Sequence, residues 1–402
     1  MRLGDVMDFK VTNSFSRANL NYETGNIKNI HYGDIHTKFQ TLFDIKKEFV
    51  PYINEEISLN KISEDCYCQE GDIVFADASE DLNDVGKSIE IVNLNGEKLL
   101  SGLHTLLARP DKQYFHKGFN GFLLKSKNVR YQIQKESQGS KVLSINVGRI
   151  SNIKLSFPSK AEQDKITSLI SLVEKRIYKS MKIIENLKLQ KNSIVKRLFE
   201  DKIKFQNKDY QNWEKKKLAD VSTEHLHKNP DNQYPEVFSV SKHKGVINQI
   251  EHLGRSFSAK EITHYKLVRP GDLVYTKSPT SEFPFGIIKQ NRTGRSGVVS
   301  PLYCVFTPQT FELGYLIHEY FISPINTFNY LNPLVQKGAK NTMNINNDVF
   351  LNGAKLLLPM HKTEQEKIYS ILSLIQEKIK IENNLLSQYE LQKRYLLSNL
   401  FV

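Results

Sequence analysis

In Gly86-Lys87-Ser88 a lysine and a hydroxyl follow a glycine, as they do at the end of a loop that cradles phosphates. That loop needs a further glycine five positions earlier, where this chain has Asp81, so the pattern fails. Other constellations able to do chemistry are equally incomplete. The sequence has no Asn-Pro-Pro-aromatic box for amino-group methylation, no glycine-rich dinucleotide fingerprint, no His-Glu-x-x-His and no Gly-x-Ser-x-Gly elbow. His104 with His116, and His225 with His227, lack cysteine or acidic neighbours at metal-ligand spacing and read as surface histidines. Asp77, Glu80, Asp81 and Asp84 lack the spacing and glycine of a calcium loop. Cys66 and Cys68, one residue apart, and the distant Cys304 suit neither a disulfide framework nor a zinc site. No catalytic centre and no metal site is expected in this chain.

The elements that would position a binding site are easier to find. At 402 residues, with 39% hydrophobic, 25% charged and 10% aromatic residues, the chain is long enough for two or three domains and too apolar to stay disordered. No stretch reaches the roughly 18 apolar residues of a membrane span, and the start lacks an apolar signal core, so a cytoplasmic, membrane-free protein is expected.

A repeat organises the sequence. Leu3-Gly4-Asp5-Val6 is echoed by Leu218-Ala219-Asp220-Val221, and Gly71-Asp72-Ile73-Val74-Phe75 by Gly271-Asp272-Leu273-Val274-Tyr275, in each case a glycine turn feeding a buried-type strand. Ile145-Asn146 returns as Ile345-Asn346. Pro158 precedes Glu162-Gln163-Asp164-Lys165-Ile166, and Pro359 precedes Glu364-Gln365-Glu366-Lys367-Ile368. These helical blocks carry a coiled-coil seam, and a shift of 202 residues superimposes it, interruptions included: Ser180 and Lys191 in the first copy, Glu382 and Lys393 in the second. A parallel pair would set Lys191 against Lys393. An antiparallel pair places Lys191 near Ile375 and Lys393 near Val173, where each ammonium can snorkel outward. The alternative is that each helix is buried against its own globular domain.

The formal charge of +12 is uneven. Residues 1–159 carry 20 basic and 20 acidic side chains, whereas residues 202–361 carry 20 and 13, which makes the second half the better electrostatic case for a polyanion.

The Pro158 to Ile166 and Pro359 to Ile368 junctions, the Gly-Asp-hydrophobic strands, and Trp213 ahead of Leu218 together resemble the specificity subunit of type I restriction-modification systems. The resemblance covers almost the whole chain. It implies an α/β (α+β) fold of two pseudo-symmetric α/β target recognition domains separated by two long antiparallel coiled-coil helices. The boundaries expected are residues 1–158 for the first recognition domain, 159–201 for the first spacer helix, 202–360 for the second domain with its linker, and 361–402 for the second helix. It further implies that each domain reads one half of a split double-stranded DNA site and that the chain is not catalytic. Two modification (methyltransferase) subunits and two ATP-dependent restriction (translocase/nuclease) subunits would do the chemistry, with S-adenosylmethionine, ATP and Mg bound in those partners and no cofactor in this chain.

Sequence reading by such a protein needs side chains at base edges and phosphate contacts that set the register. The candidates in the first half are Ser79 and Lys87, then Gln138, Ser140 and Lys141 around Gly139. In the second half they are Lys277, Ser278, Thr280 and Ser281, then Lys337, Lys340, Asn341 and Asn344 around Gly338. Lys242, His243, Lys244, Arg292 and Arg295 are candidates for phosphate contacts. A nuclease with an unrecognised site and a coiled-coil adaptor for proteins are the competing functions. The duplicated junctions favour the DNA-specificity reading.

Overall fold

The structure, a computed structural model, describes residues 1–200, 213–337 and 343–401, with the backbone alone at 337, 343 and 344. It divides into two compact units, residues 1–182 with 382–402, and residues 183–381.

The first unit is built on a five-stranded mixed sheet of β1 (Met7–Lys10), β2 (Leu42–Asp44), β3 (Ile73–Ala76), β4 (Ser88–Asn93) and β5 (Thr105–Pro110), in the order β1-β5-β3-β4-β2. Strand β3 is buried along its whole length. Side chains alternate across a strand, so Ile73 and Phe75 enter one core with helix α1 (Phe119–Leu123), while Val74 and Ala76 enter another on the opposite face. Helix α2 (Lys160–Phe199) follows this unit's last loops.

The second unit repeats that plan. Strands β6 (Ser222–Glu224), β9 (Leu273–Tyr275), β10 (Ile288–Gln290) and β11 (Cys304–Pro308) pair in the order β6-β11-β9-β10, which is the order β1-β5-β3-β4 again. Between them lies a hairpin of β7 (Phe238–Ser241) and β8 (Gly245–Asn248). Leu273 and Tyr275 share a core beneath helix α3 (Phe311–Tyr320), and Val274 packs with the hairpin on the other face. Helix α4 (Lys362–Asn399) closes the chain.

The repeated polar residues turn out to be local fasteners. Gly71 and Gly271 have φ of +97° and +92°, a region that favours glycine. One residue on, the buried Asp72 and Asp272 accept the backbone N–H groups of Gln69 (2.8 Å) and Arg269 (2.7 Å) and lock the turn. His225, expected at the surface, instead sits against Asp272 at 3.1 Å with a side chain only 9% exposed. Asp5 and Asp220 accept the N–H groups of Arg2 (2.8 Å) and Lys217 (2.9 Å), and Asn146 and Asn346 cap short helices.

Helices α2 and α4 run 40 and 38 residues and contribute an antiparallel pair to each unit. In the first unit Ile166 and Ile170, near the start of α2, share a core with Leu396, Leu397, Leu400 and Phe401 at the end of α4. In the second, Leu198 at the end of α2 packs against Ile368 and Leu372 at the start of α4. The seam lysines depart from expectation, because each is met by a carboxylate and Lys191 is buried. Lys191 is 7% exposed and donates to Glu319 (2.9 Å) and Gln376 (3.0 Å). Lys393 pairs with Glu174, which also accepts the Thr41 hydroxyl at 2.7 Å. Glu174 and Gln376 are themselves equivalent under the 202-residue shift. An ammonium held inside a seam needs such partners, because burial unpaired is costly.

Each helix is also fixed at its root. Gln163 is fully buried; its amide N–H group donates to the carbonyls of Pro158 (2.9 Å) and Tyr114 (3.0 Å), and its oxygen accepts the His116 N–H (2.8 Å). Gln365 repeats the arrangement, donating to the Pro359 carbonyl (2.8 Å) and accepting the Thr310 hydroxyl (2.6 Å). Trp213 donates its indole N–H to Glu364 at 2.9 Å and packs edge-on to Phe199.

Two stability predictions follow from this packing. Ile170→Ala should cost about 2–5 kcal/mol in urea denaturation, because Ile170 is fully buried, whereas Leu172→Ala, at a position 58% exposed, should change stability by less than about 0.5 kcal/mol. Glu90 is fully buried on β4, and burial pushes its carboxyl up to about 7 although the N–H groups of Gly118 and Gly121 point at it. The unfolded chain ionises Glu90 more readily than the folded one, so folding stability falls as pH rises from the ordinary carboxyl range through about 7. Glu90→Gln should flatten the pH 5 to 8 stability profile, gaining about 1–3 kcal/mol relative to the native chain over that interval, as read by urea melts at both ends.

Candidate nucleic-acid interface

The first unit gathers four of its five sequence candidates around one small ladder. Ala78–Ser79 pairs with Leu143–Ser144, and Gln138 exchanges backbone hydrogen bonds with Ser144 (2.9 and 2.8 Å). The turn between them carries Gly139 at φ +129°, where an added Cβ would meet the Val142 carbonyl at 2.0 Å. This turn presents Gln138, Ser140 and Lys141 to solvent, and Lys141 has no ion-pair partner among the described residues. Ser79 is half-buried, and its hydroxyl accepts the Asp81 N–H (3.0 Å). Lys87 is held further in: its ammonium donates to the His36 carbonyl (2.7 Å) and pairs with Asp84 (3.3 Å). His36 in turn contacts the Ala78 carbonyl at 3.1 Å, which ties Lys87 to the same edge.

In the second unit two candidate segments meet. Lys242, His243 and Lys244 occupy the turn of the β7–β8 hairpin, and Lys242 pairs with Glu282 (2.5 Å) at the end of the loop holding Lys277, Ser278, Thr280 and Ser281. The side chains at 278, 280 and 281 belong to exposed residues. Thr280 and Phe283 exchange backbone hydrogen bonds (2.9 and 3.1 Å), which makes the loop a tight bend. Lys277 stands at its root with φ +59°, and burial lowers its pKa.

The two arginines behave differently from a free phosphate clamp. Arg292 lies over the Tyr315 ring at 3.7 Å, donates to Glu319 (3.2 Å) and to Gln290 (3.1 Å), and so is engaged inside the unit. Arg295 is about half exposed and pairs with Glu236 (3.0 Å) and Glu251 (3.5 Å). The backbone of Lys337 and Asn344 belongs to a two-stranded ladder, Gln336–Lys337 with Met343–Asn344. Lys340 and Asn341 lie outside the described residues.

Side chains that a loop-after-strand rule passes over also reach this chemistry. In the first unit the exposed Phe49 stacks on Tyr22 (centroids 4.7 Å apart), with Lys38 at 5.2 Å from the Tyr22 ring. An aromatic platform beside a cation is a surface on which a base can stack. In the second unit Lys289 was hidden from the sequence reading because it lies within strand β10; comparison with Ile89 at the same register of the first unit would have exposed it.

Among the described residues no group of three or more His, Cys, Asp or Glu is placed to hold a metal ion, and no helix is long and apolar enough to cross a membrane. Burial pushes the Cys68 thiol up and the Cys304 thiol to about 12, which leaves both protonated near neutral pH.

Two α/β units of one strand order, each with a share of two long antiparallel helices and polar loops at the strand ends, define a duplicated α/β scaffold. Residues 1–189 match the family described as type I restriction modification DNA specificity domain. Among solved structures the chain is similar to the type I restriction-modification system S subunit from M. genitalium, at 12% identity and a TM-score of 0.61, covering 100% of this chain and 95% of that one. It is also similar to a chain from a structural study of complex assembly and conformational transition of the type I R-M system, at 13% identity and a TM-score of 0.50, covering 99% and 95%. The fold of the S subunit therefore extends over the whole chain. No curated protein matches it.

On the DNA-contact reading, these placements distinguish an exposed candidate from one braced inside its unit. Lys141→Ala should leave the urea midpoint unchanged yet lower affinity for duplex DNA and reduce the slope of log affinity against log salt by about one. Arg292→Ala should instead destabilise the fold by about 1–3 kcal/mol, since Glu319, 3% exposed, loses one of its two cations. Denaturation and salt-titrated binding on both variants decide the assignment.

Proposed function

We propose that the chain is the DNA-sequence-specificity subunit of a type I restriction-modification complex, with each α/β unit reading one half of a bipartite double-stranded site. The observation that carries this reading is the match of residues 1–189 to a DNA specificity domain together with the recurrence of the first unit's strand order in the second. Two copies of one scaffold with different loops suit a site whose two halves differ in sequence. In this reading the exposed turn at Gln138–Lys141 and the joined surface of the hairpin tip and the 277–281 loop supply base-edge and phosphate contacts.

The chain has no catalytic role of its own in this proposal. Two modification subunits supply adenine methylation with S-adenosylmethionine, and two restriction subunits supply ATP- and Mg-dependent translocation and cleavage. The paired helices are the docking surface for those partners and set the unread gap between half-sites. The sequence is consistent with this division of labour, since phosphate-loop and methylation-box patterns are missing from it.

Replacing residues 1–158 with the matching domain of a relative, in a host carrying the modification subunit, should change one half of the methylated motif and leave the other half and the gap intact. Methylome sequencing reads the result directly. A motif altered in both halves at once would end the independent-reader model, and methylation by the purified chain alone would end the non-catalytic one.

A further inference from the structure

Strand β10 brings a lysine into the body of the second unit. Lys289 pairs with Val274 and stands on the face that carries the hairpin core, where only 3% of it is exposed. The first unit places Ile89 opposite Val74 at the same register, so this strand position does not need a lysine to fold. Among the described residues the Lys289 ammonium has no hydrogen bond and no ion pair. Burial lowers its pKa to about 8, which still leaves it charged at neutral pH. Glu319 is the carboxylate that favours its charge, without a direct ion pair, and an ammonium so deeply set and so weakly countered is costly to the fold.

The surroundings add to that charge. Lys289 lines a cavity of about 570 Å³, a volume typical of small-ligand sites, whose wall includes Lys191, Lys242, Lys244, Arg292 and Lys380. Its single carboxylate, Glu319, already serves Lys191 and Arg292 at 2.9 and 3.2 Å. His318, 6% exposed, accepts the Gln290 N–H at Nδ1 (2.8 Å), which leaves Nε2 as a neutral donor in the same wall. Lys244 and Lys380 belong to exposed residues at the rim. Six cations line a cavity with one carboxylate of its own; Lys242 is paired with Glu282 beyond the wall, Lys191 and Arg292 share Glu319, and Lys289 makes no ion pair.

We infer that this cavity is a binding site for a compact polyanion of phosphate chemistry, held at its floor by Lys289 and His318 and at its rim by Lys244 and Lys380. Phosphate oxygens match both donor types, and a polyvalent anion offsets several of the cations at once. The source of the phosphates is either a nucleic-acid backbone or a free phosphate compound. The cavity shares Lys242 and Lys244 with the hairpin tip proposed above to contact DNA, so a nucleic-acid source of the phosphates rests on that reading and a free phosphate compound does not.

The test uses the purified full chain with sodium tripolyphosphate as probe, by calorimetry and thermal shift, against sodium sulfate and sodium chloride at matched ionic strength. Tripolyphosphate should bind with the largest rise in Tm. Lys289→Met, which keeps the stem and removes the charge, should weaken binding by about tenfold or more. Should that variant fail to fold, the exposed pair Lys244→Ala with Lys380→Ala should weaken it several-fold and decides the matter. A parallel arm measures binding to a 20-base-pair duplex. Equal weakening for duplex and tripolyphosphate, with mutual displacement, assigns the phosphates to a nucleic-acid backbone; tripolyphosphate binding that leaves the duplex in place assigns them to a free compound. Tripolyphosphate binding no tighter than sulfate, or unchanged in the variants, overturns the proposal.

Discussion

Each long helix leaves its globular unit under the control of one buried amide. Gln163 and Gln365 donate to the proline carbonyl behind them and accept from the unit in front, so both ends of the side chain are committed and the helix root has one orientation. A satisfied buried amide specifies geometry where an apolar side chain would tolerate a range of rotations. Within each unit the seam is fastened by its own ion pair, Lys191 with Glu319 in the second and Lys393 with Glu174 in the first. The proline itself adds to the constraint by fixing φ just before the amide takes hold.

The repeat was legible because its spacing records the architecture. Gly-Asp ahead of an apolar strand, the Pro to Glu-Gln junction and the 202-residue shift of the seam each have a structural counterpart that the side-chain contacts explain. What the sequence concealed was where long polar side chains go. Lys191 and Lys393 look like interruptions that must escape to water, yet carboxylates distant in the chain, from Glu319 and Glu174, meet them. Arg292 looks like a phosphate clamp in sequence and is a brace over Tyr315 in space. Loop residues such as Ser140 and Lys141 read correctly as exposed because a glycine turn is a local event; pairing across the fold is not.

The two units also differ in a manner the repeat alone hides. At equivalent sheet positions the first unit has Ile89 and Glu90, the second Lys289 and Gln290. Glu90 is a carboxyl facing the backbone N–H groups of Gly118 and Gly121, while Gln290 spans the carbonyls of Gly271 and Phe311 with its amide. One backbone pattern thus carries two electrostatic interiors, and the excess positive charge of the second half is partly spent inside it rather than on loops.

Antiparallel helices have a consequence for how the chain comes into being. Leu396, Leu400 and Phe401 complete the core of the first unit, where the Phe401 ring lies 5.6 Å from that of Phe119. The ribosome releases residues 1–182 long before it releases these, and an α/β unit that waits for its last core side chains exposes apolar surface in the meantime. The second unit, residues 183–381, is continuous in the chain and has no such delay. Synthesis therefore finishes the two units in the reverse of their written order, and the first domain to emerge is the last to close.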